Sequence, residues 1–108
     1  MYLRIEQDEI RFRVSQKEAD ALVNGQVISQ ECSWSKEFRL SFSIASVEQT
    51  SSLDFDKNSA KLKLKINQES LSSELATRPS KTGIIFHQTI DERELQVSLE
   101  IDLKKHRK

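Results

Sequence analysis

One pattern runs through this chain twice. The segment IRFRVSQ at 10–16 aligns with LKLKINQ at 62–68, an offset of 52. The segment EFRLSFSI at 37–44 aligns with ELQVSLEI at 94–101, an offset of 57. Three residues separate Val23 from Val27 and eight separate Leu75 from Ile84, so the five extra residues fall in the loop that contains Pro79. Alternating strands align with one another trivially. The match here goes further, because each basic-faced strand runs straight into a Ser/Asn-Gln helix start. Each half also closes on Glu-x-x-x-Ser-x-x-Ile. The expectation is two strand-strand-helix-strand-strand units, residues 1–46 and 52–103, related by a pseudo-twofold axis within one domain, 1–108.

Period-two alternation carries the strands. Leu3 and Ile5 face away from Arg4 and Glu6. Ile10, Phe12 and Val14 alternate with Arg11 and Arg13, and Leu62, Leu64 and Ile66 with Lys61, Lys63 and Lys65. Phe38, Leu40, Phe42 and Ile44 do the same in 37–46, and further strands are expected at 84–90 and 94–103. Residues 26–34 keep no clean phase. Ser15 to Glu18 forms a capping box before a helix at about 16–24, which Gly25 ends. Asn67 N-caps the second helix, with Ile66 and Leu71 as its hydrophobic staple, and Pro79 ends it.

These elements imply an α+β fold, mainly antiparallel strands with two short helices. Two helices of about nine residues, each ~14 Å long, cannot cover eight apolar strand faces. The strands must cover each other, as a small barrel or as packed sheets. Phe12, Phe38, Leu40, Phe42, Leu62, Leu64, Val97, Leu99 and Ile101 are the core candidates, each contributing about 1.5–3 kcal/mol when fully buried.

Seventeen acidic and seventeen basic residues cancel. That balance argues against a nucleic-acid partner and against a polybasic membrane anchor. No stretch approaches the ~20 apolar residues of a membrane helix, and the acidic opening MYLRIEQDEI lacks an export signal. A cytoplasmic location is expected. Cys32 stands alone, so neither an internal disulfide nor a cysteine zinc cluster is available. Nothing pairs it with His87 or His106, and no cofactor motif is present.

Two groupings carry possible chemistry. Arg11 and Arg13 occupy the places of Lys63 and Lys65 in the alignment, and a pseudo-twofold would set the pairs in equivalent surroundings. Together the four could hold a phosphate or carboxylate. The plainer reading is favoured: a solvated face with cross-strand ion pairs to Glu6, Glu100 or Asp102, worth ~0.2–1 kcal/mol each. The second grouping is Glu100-x-Asp102-x-Lys104, whose carboxylates project on one strand face and could share a divalent cation. With basic strands nearby, this resembles in outline the tunnel-type triphosphate hydrolases. Such a tunnel, however, needs its apolar faces outside, under large helices.

The opening Met1-x-x-Arg4-Ile5-x-x-x-x-Ile10-Arg11-x-Arg13-x-Ser15-x-x-Glu18 resembles a family of small bacterial proteins of unknown function. That family carries a Val-Glu-Lys-Asp-Phe-Lys-Cys motif near its end. Here Glu100, Asp102 and Lys104 match it, while Ile101 replaces the lysine and Lys105 the cysteine. The resemblance implies no activity. The expected function is a non-enzymatic interaction or ligand-binding module, its partner a protein or small anion. The alternative is a metal-dependent phosphate hydrolase using Glu100 and Asp102. An unpaired strand edge, at Val27–Trp34, is expected to support a twofold homodimer.

Overall fold

The computed structural model describes residues 1–33, 35–37, 39–56, 58, 60–76 and 83–102. Its elements are β1 (Tyr2–Glu6), β2 (Glu9–Val14), α1 (Gln16–Val23), β3 (Ile28–Ser33), β4 (Arg39–Val47), β5 (Ser52–Asp56), β6 (Lys61–Asn67), α2 (Gln68–Ala76), β7 (Ile84–Ile90) and β8 (Arg93–Ile101). Trp34, Phe38, Pro79, Lys104 and His106 lie outside the described residues.

The strands form two four-stranded sheets, β1-β2-β8-β7 and β3-β4-β6-β5, and no closed barrel. Of the two closures that alternation allows, the chain adopts packed sheets. All hairpin pairs are antiparallel, but the two central pairs, β2 with β8 and β4 with β6, are parallel. Each sheet thus joins one hairpin from each half of the chain. Exchanging β1–β4 for β5–β8 turns the strand order of one sheet into that of the other.

Ladder positions correct the alignment of the two halves. Phe12 sits beside Leu99 and Leu64 beside Ile44, so Ile44 corresponds to Leu99, Leu40 to Leu95 and Ser43 to Ser98. The aligned partners of Leu40 and Ser43 in the sequence were Val97 and Glu100, two residues further on. A slide of two residues preserves every inward and outward position, so alternation cannot detect it. The length difference is spread over both hairpins and the connection after the helix. Glu6 and Glu9 close one hairpin where Asp56 and Lys61 close its counterpart, and Ser33–Arg39 corresponds to Thr89–Glu94.

The inward residues of both sheets meet in one core. Ile10, Phe12, Val14, Phe42, Ile44, Leu53, Leu62, Leu64, Ile66, Val97, Leu99 and Ile101 are buried, and Ala19, Leu22 and Leu71 join them from the helices. Leu40 is only partly buried. The helices touch each other; α1 packs on β2, β3 and β4, and α2 on β4, β6 and β7. Ser46 Oγ donates to the Leu22 carbonyl at 2.9 Å, tying the end of β4 to the last turn of α1.

Both helix starts form as their sequences predict. Glu18 N–H donates to Ser15 Oγ at 3.0 Å, and Ser15 N–H donates to the Glu18 carboxylate at 2.9 Å, completing a capping box. Burial pushes the Glu18 carboxyl up. Hydrogen bonds from the Ser15 backbone and the N-terminal ammonium outweigh that and hold it below its ordinary value. Asn67 does more than cap α2. Its Oδ1 accepts from Ser70 N–H at 2.9 Å, and its Nδ2 donates to the Gln49 carbonyl at 2.9 Å, fixing the link between the halves. Asn67→Ala is therefore expected to cost about 1–2 kcal/mol, the upper part of the range for a lost cap, measured by urea unfolding. Asn67→Asp should restore only the cap, since its carboxylate accepts from Ser70 N–H but cannot donate to the Gln49 carbonyl.

The seam where β5 meets β7 is bridged by a side chain. Gln88 Oε1 accepts from the Leu53 N–H at 2.9 Å, and Gln88 Nε2 donates to the Leu53 carbonyl at 2.7 Å. An amide side chain there takes the place of a neighbouring strand. At the opposite seam, Cys32 holds the ladder position of Gln88 and Leu3 that of Leu53. A thiol cannot make the same pair of hydrogen bonds. That seam is an apolar cleft of about 410 Å³.

Candidate functional site

The two charged strand faces point away from the core, so the two packed sheets hold them apart. Arg11 and Arg13 belong to β2 in one sheet; Lys63 and Lys65 belong to β6 in the other. The four residues do not converge. Arg11 and Arg13 border one shallow cleft, and Lys63, without Lys65, borders another.

On the first sheet, a cleft of about 360 Å³ is lined by Tyr2, Arg4, Arg11, Arg13, Glu100 and Asp102. Register builds it. Arg4 stands opposite Arg11, Tyr2 opposite Arg13, and Arg13 opposite Glu100. Glu100 is the centre of the arrangement, its side chain only 13% exposed. Arg13 Nε lies 3.4 Å from one of its oxygens and Arg11 Nε 3.6 Å from the other. Arg11 also reaches Glu9 at 2.9 Å. That hydrogen bond, with the nearby carboxylates, raises the Arg11 guanidinium above its ordinary value. Both Nε atoms lie within ion-pairing distance of Glu100, and one terminal nitrogen of Arg11 is taken by Glu9; a planar guanidinium presents the fork that can grip a carboxylate or phosphate with two parallel bonds.

Glu100 and Asp102 thus share a cleft, as their spacing predicts. The carboxylate of Glu100, however, is engaged by two guanidinium groups. Among the described residues, no group of three or more His, Cys, Asp or Glu side chains is placed to hold a metal. A polar tunnel is not formed, since the sheets do not close and the faces turned inward are apolar.

On the second sheet, Lys61 and Lys63 flank a trough of about 370 Å³ over the small residues Ser41, Ser43 and Ser29, with Glu31 on its far side. Lys65 turns the other way and pairs with Asp54 at 2.9 Å. This trough is more open in chemistry than the arginine cleft, because no buried carboxylate orients the lysines. His87 is exposed on β7, and Cys32 lies in the apolar seam.

Two lining residues, Tyr2 and Arg4, escaped the sequence reading. Alternation put both on the outer face of β1, and the short hairpin set them against Arg13 and Arg11. The alternation of β1 gives Arg4 its outward face, and only the pairing of β1 with β2 makes it and Tyr2 lining residues. Ser98 carried no signal at all. It neighbours Arg11 on the ladder, is 2% exposed, and its hydroxyl is the one buried side-chain polar atom without a partner among the described residues.

No described helix is long and apolar enough to cross a membrane. Residues 1–107 match a family described as a family of unknown function (DUF7009). No curated protein matches the chain, and no solved structure does.

Proposed function

The chain belongs to that family of unknown function, and we propose that it acts as a non-enzymatic binding module. Its recognition site is the cleft between β1, β2 and the end of β8, and its ligand carries a carboxylate or phosphate. One observation carries this reading: Glu100 holds the Nε of both Arg11 and Arg13 beside a cleft. Exposed arginines on a solvated face need no such support. The plain solvated-face reading suits Lys65, which pairs across the strand with Asp54. That reading also names the Glu100 pairs of Arg11 and Arg13; the binding reading adds that both arginines meet one carboxylate, 13% exposed, beside a cleft.

The hydrolase reading draws no support from this geometry. A divalent ion at Glu100 and Asp102 would have to displace the guanidinium groups of Arg11 and Arg13, and like charge opposes its approach.

The test is thermal unfolding in inorganic phosphate against chloride at matched ionic strength. A ligand that binds only the folded chain stabilises it by mass action, and each kcal/mol gained raises the melting temperature by about 4–8 °C in a domain near 100 residues. A phosphate-specific rise is expected in the wild type. It should vanish in Arg13→Gln, fall sharply in Glu100→Gln and persist in Lys63→Gln. A rise that survives Arg13→Gln, or no phosphate-specific rise at all, overturns the assignment.

The ladder matching also supports reading residues 1–46 and 52–103 as two copies of one unit. On that reading Lys63 and Lys65 are the counterparts of Arg11 and Arg13, and Ala45, beside Lys65, holds the place of Glu100 beside Arg13, so only the arginine pair has a carboxylate at that position.

A further inference from the structure

Across the first hairpin, charged residues stand opposite their own kind. Arg4 faces Arg11 and Glu6 faces Glu9. Like charges directly opposite in a sheet are destabilising. The chain's own answer is for neighbours to pair along each strand, Arg4 with Glu6 at 3.0 Å and Arg11 with Glu9 at 2.9 Å. Among the described residues, the far flank of β1 has no strand beside it.

Four strands are sheet edges: β1, β7, β3 and β5. Their sequences treat the edge differently. β3 carries Glu31 as its only charge, β5 carries Asp54 and Asp56, and β7 carries no charge beyond His87. Only β1 carries both signs, Arg4 and Glu6, at alternate positions on one face.

The backbone of β1 is turned the right way to pair. At the matching place in β5, the Leu53 N–H and C=O point off the edge, where Gln88 holds them. Leu3 occupies that ladder position in β1. Ile5, two residues on, points the same way.

We propose that β1 pairs antiparallel with β1 of a second copy, centred on Ile5. In that register the Ile5 residues exchange backbone hydrogen bonds. Arg4 stands opposite Glu6 of the second copy, and Glu6 opposite its Arg4, so each charge that meets its own sign inside the hairpin meets the opposite sign outside it. Centring the pair on Arg4 instead would set the two arginines against each other. Pairing about Ile5 also covers that side chain, 57% exposed, and extends the wall of the apolar seam formed by Leu3, Cys32, Leu40 and Phe42. The two sheets become one of eight strands, with both arginine clefts on the same face. The inference does not depend on anion binding, because it is tested without phosphate.

The experiment is sedimentation velocity on the untagged chain in chloride buffer, from low to high micromolar concentration. A monomer–dimer equilibrium is expected in the wild type. Arg4→Glu and Glu6→Arg should each weaken it about tenfold or more, since each turns two attractive cross-strand pairs into repulsive ones. The double variant carrying both changes should regain the wild-type dimer. Each single change relieves a like-charge contact within the hairpin but breaks the Arg4–Glu6 pair along β1, so at a concentration where the wild type is monomeric both should melt close to it, which separates a lost interface from a lost fold. A chain that stays monomeric throughout overturns the proposal. So does a dimer indifferent to the single changes, or a double variant no better than they are.

Discussion

Gly83→Ala is expected to cost about 2–5 kcal/mol, and Gly25→Ala only about 1–2 kcal/mol, although both glycines have positive φ. The left-handed conformation alone costs a residue with a Cβ about 1–2 kcal/mol. Gly25, at φ 90°, has nothing within 4 Å of where a Cβ would stand. Gly83, at φ 73°, would drive a Cβ into the Leu99 carbonyl oxygen and place it 2.9 Å from the carbonyl carbon. Both atoms belong to the backbone of β8, a central strand fixed on one side by β2 and on the other by β7. The clash is relieved only if the start of β7 moves off β8, an overpacking term of about 1–3 kcal/mol added to the first. Guanidinium unfolding of the two variants measures the difference. Equal costs would mean that β7 begins loosely and that the close approach at Leu99 has no energetic consequence. The displaced backbone would also include Glu100, next in the chain, so Gly83→Ala should weaken any anion response of the arginine cleft.

Nearly all local structure was legible in the chain. Alternation located the strands, and the Ser15–Glu18 capping box and the Asn67 cap located both helix starts. These signals work because they report on a single strand face or a single helix turn. Pairing was less legible. Hairpins follow from short connections, but β2 with β8 and β4 with β6 are parallel pairs between distant segments, and nothing local encodes them. Register between such strands is set by how Phe12, Leu64 and their neighbours interlock in the core. A period of two is blind to a slide of two residues, which is why Leu40 aligned with Val97 in sequence and matches Leu95 on the ladder.

The site was legible in its parts and not in its assembly. Arg11, Arg13, Glu100 and Asp102 were each singled out, but as members of separate groupings. The parallel pairing of β2 with β8 joins them, setting Arg13 opposite Glu100. The same packing of two sheets removes Lys63 and Lys65 to another face. Alignment treats the basic strands as equivalents, which says nothing about whether equivalents are neighbours. In a sandwich, two matching outer faces turn away from each other.

Phe12→Ala is expected to destabilise the fold by about 3–5 kcal/mol, the usual cost of truncating a buried phenylalanine. Phe55→Ala should cost less than about 1 kcal/mol. Both residues lie on alternating strands, and sequence alone gives them the same inward phase. Their positions differ in the sheet. Phe12 is on a central strand, 0% exposed, between Leu3 on one side and Leu99 on the other. Removing its ring leaves a cavity that two flanking strands and the opposing sheet cannot close without breaking their own ladders. Phe55 lies on the edge strand β5 beyond the reach of Gln88 and is 56% exposed, so water already covers much of its ring. Domains of this size have about 5–15 kcal/mol in hand, so Phe12→Ala should lower the urea midpoint steeply or leave the chain largely unfolded. Phe12→Leu keeps a folded comparison within reach, at an intermediate cost. If Phe55→Ala proved as damaging as Phe12→Ala, the edge of β5 would have to be buried in solution. The second sheet would then carry an interface that the charge pattern of Asp54 and Asp56 argues against.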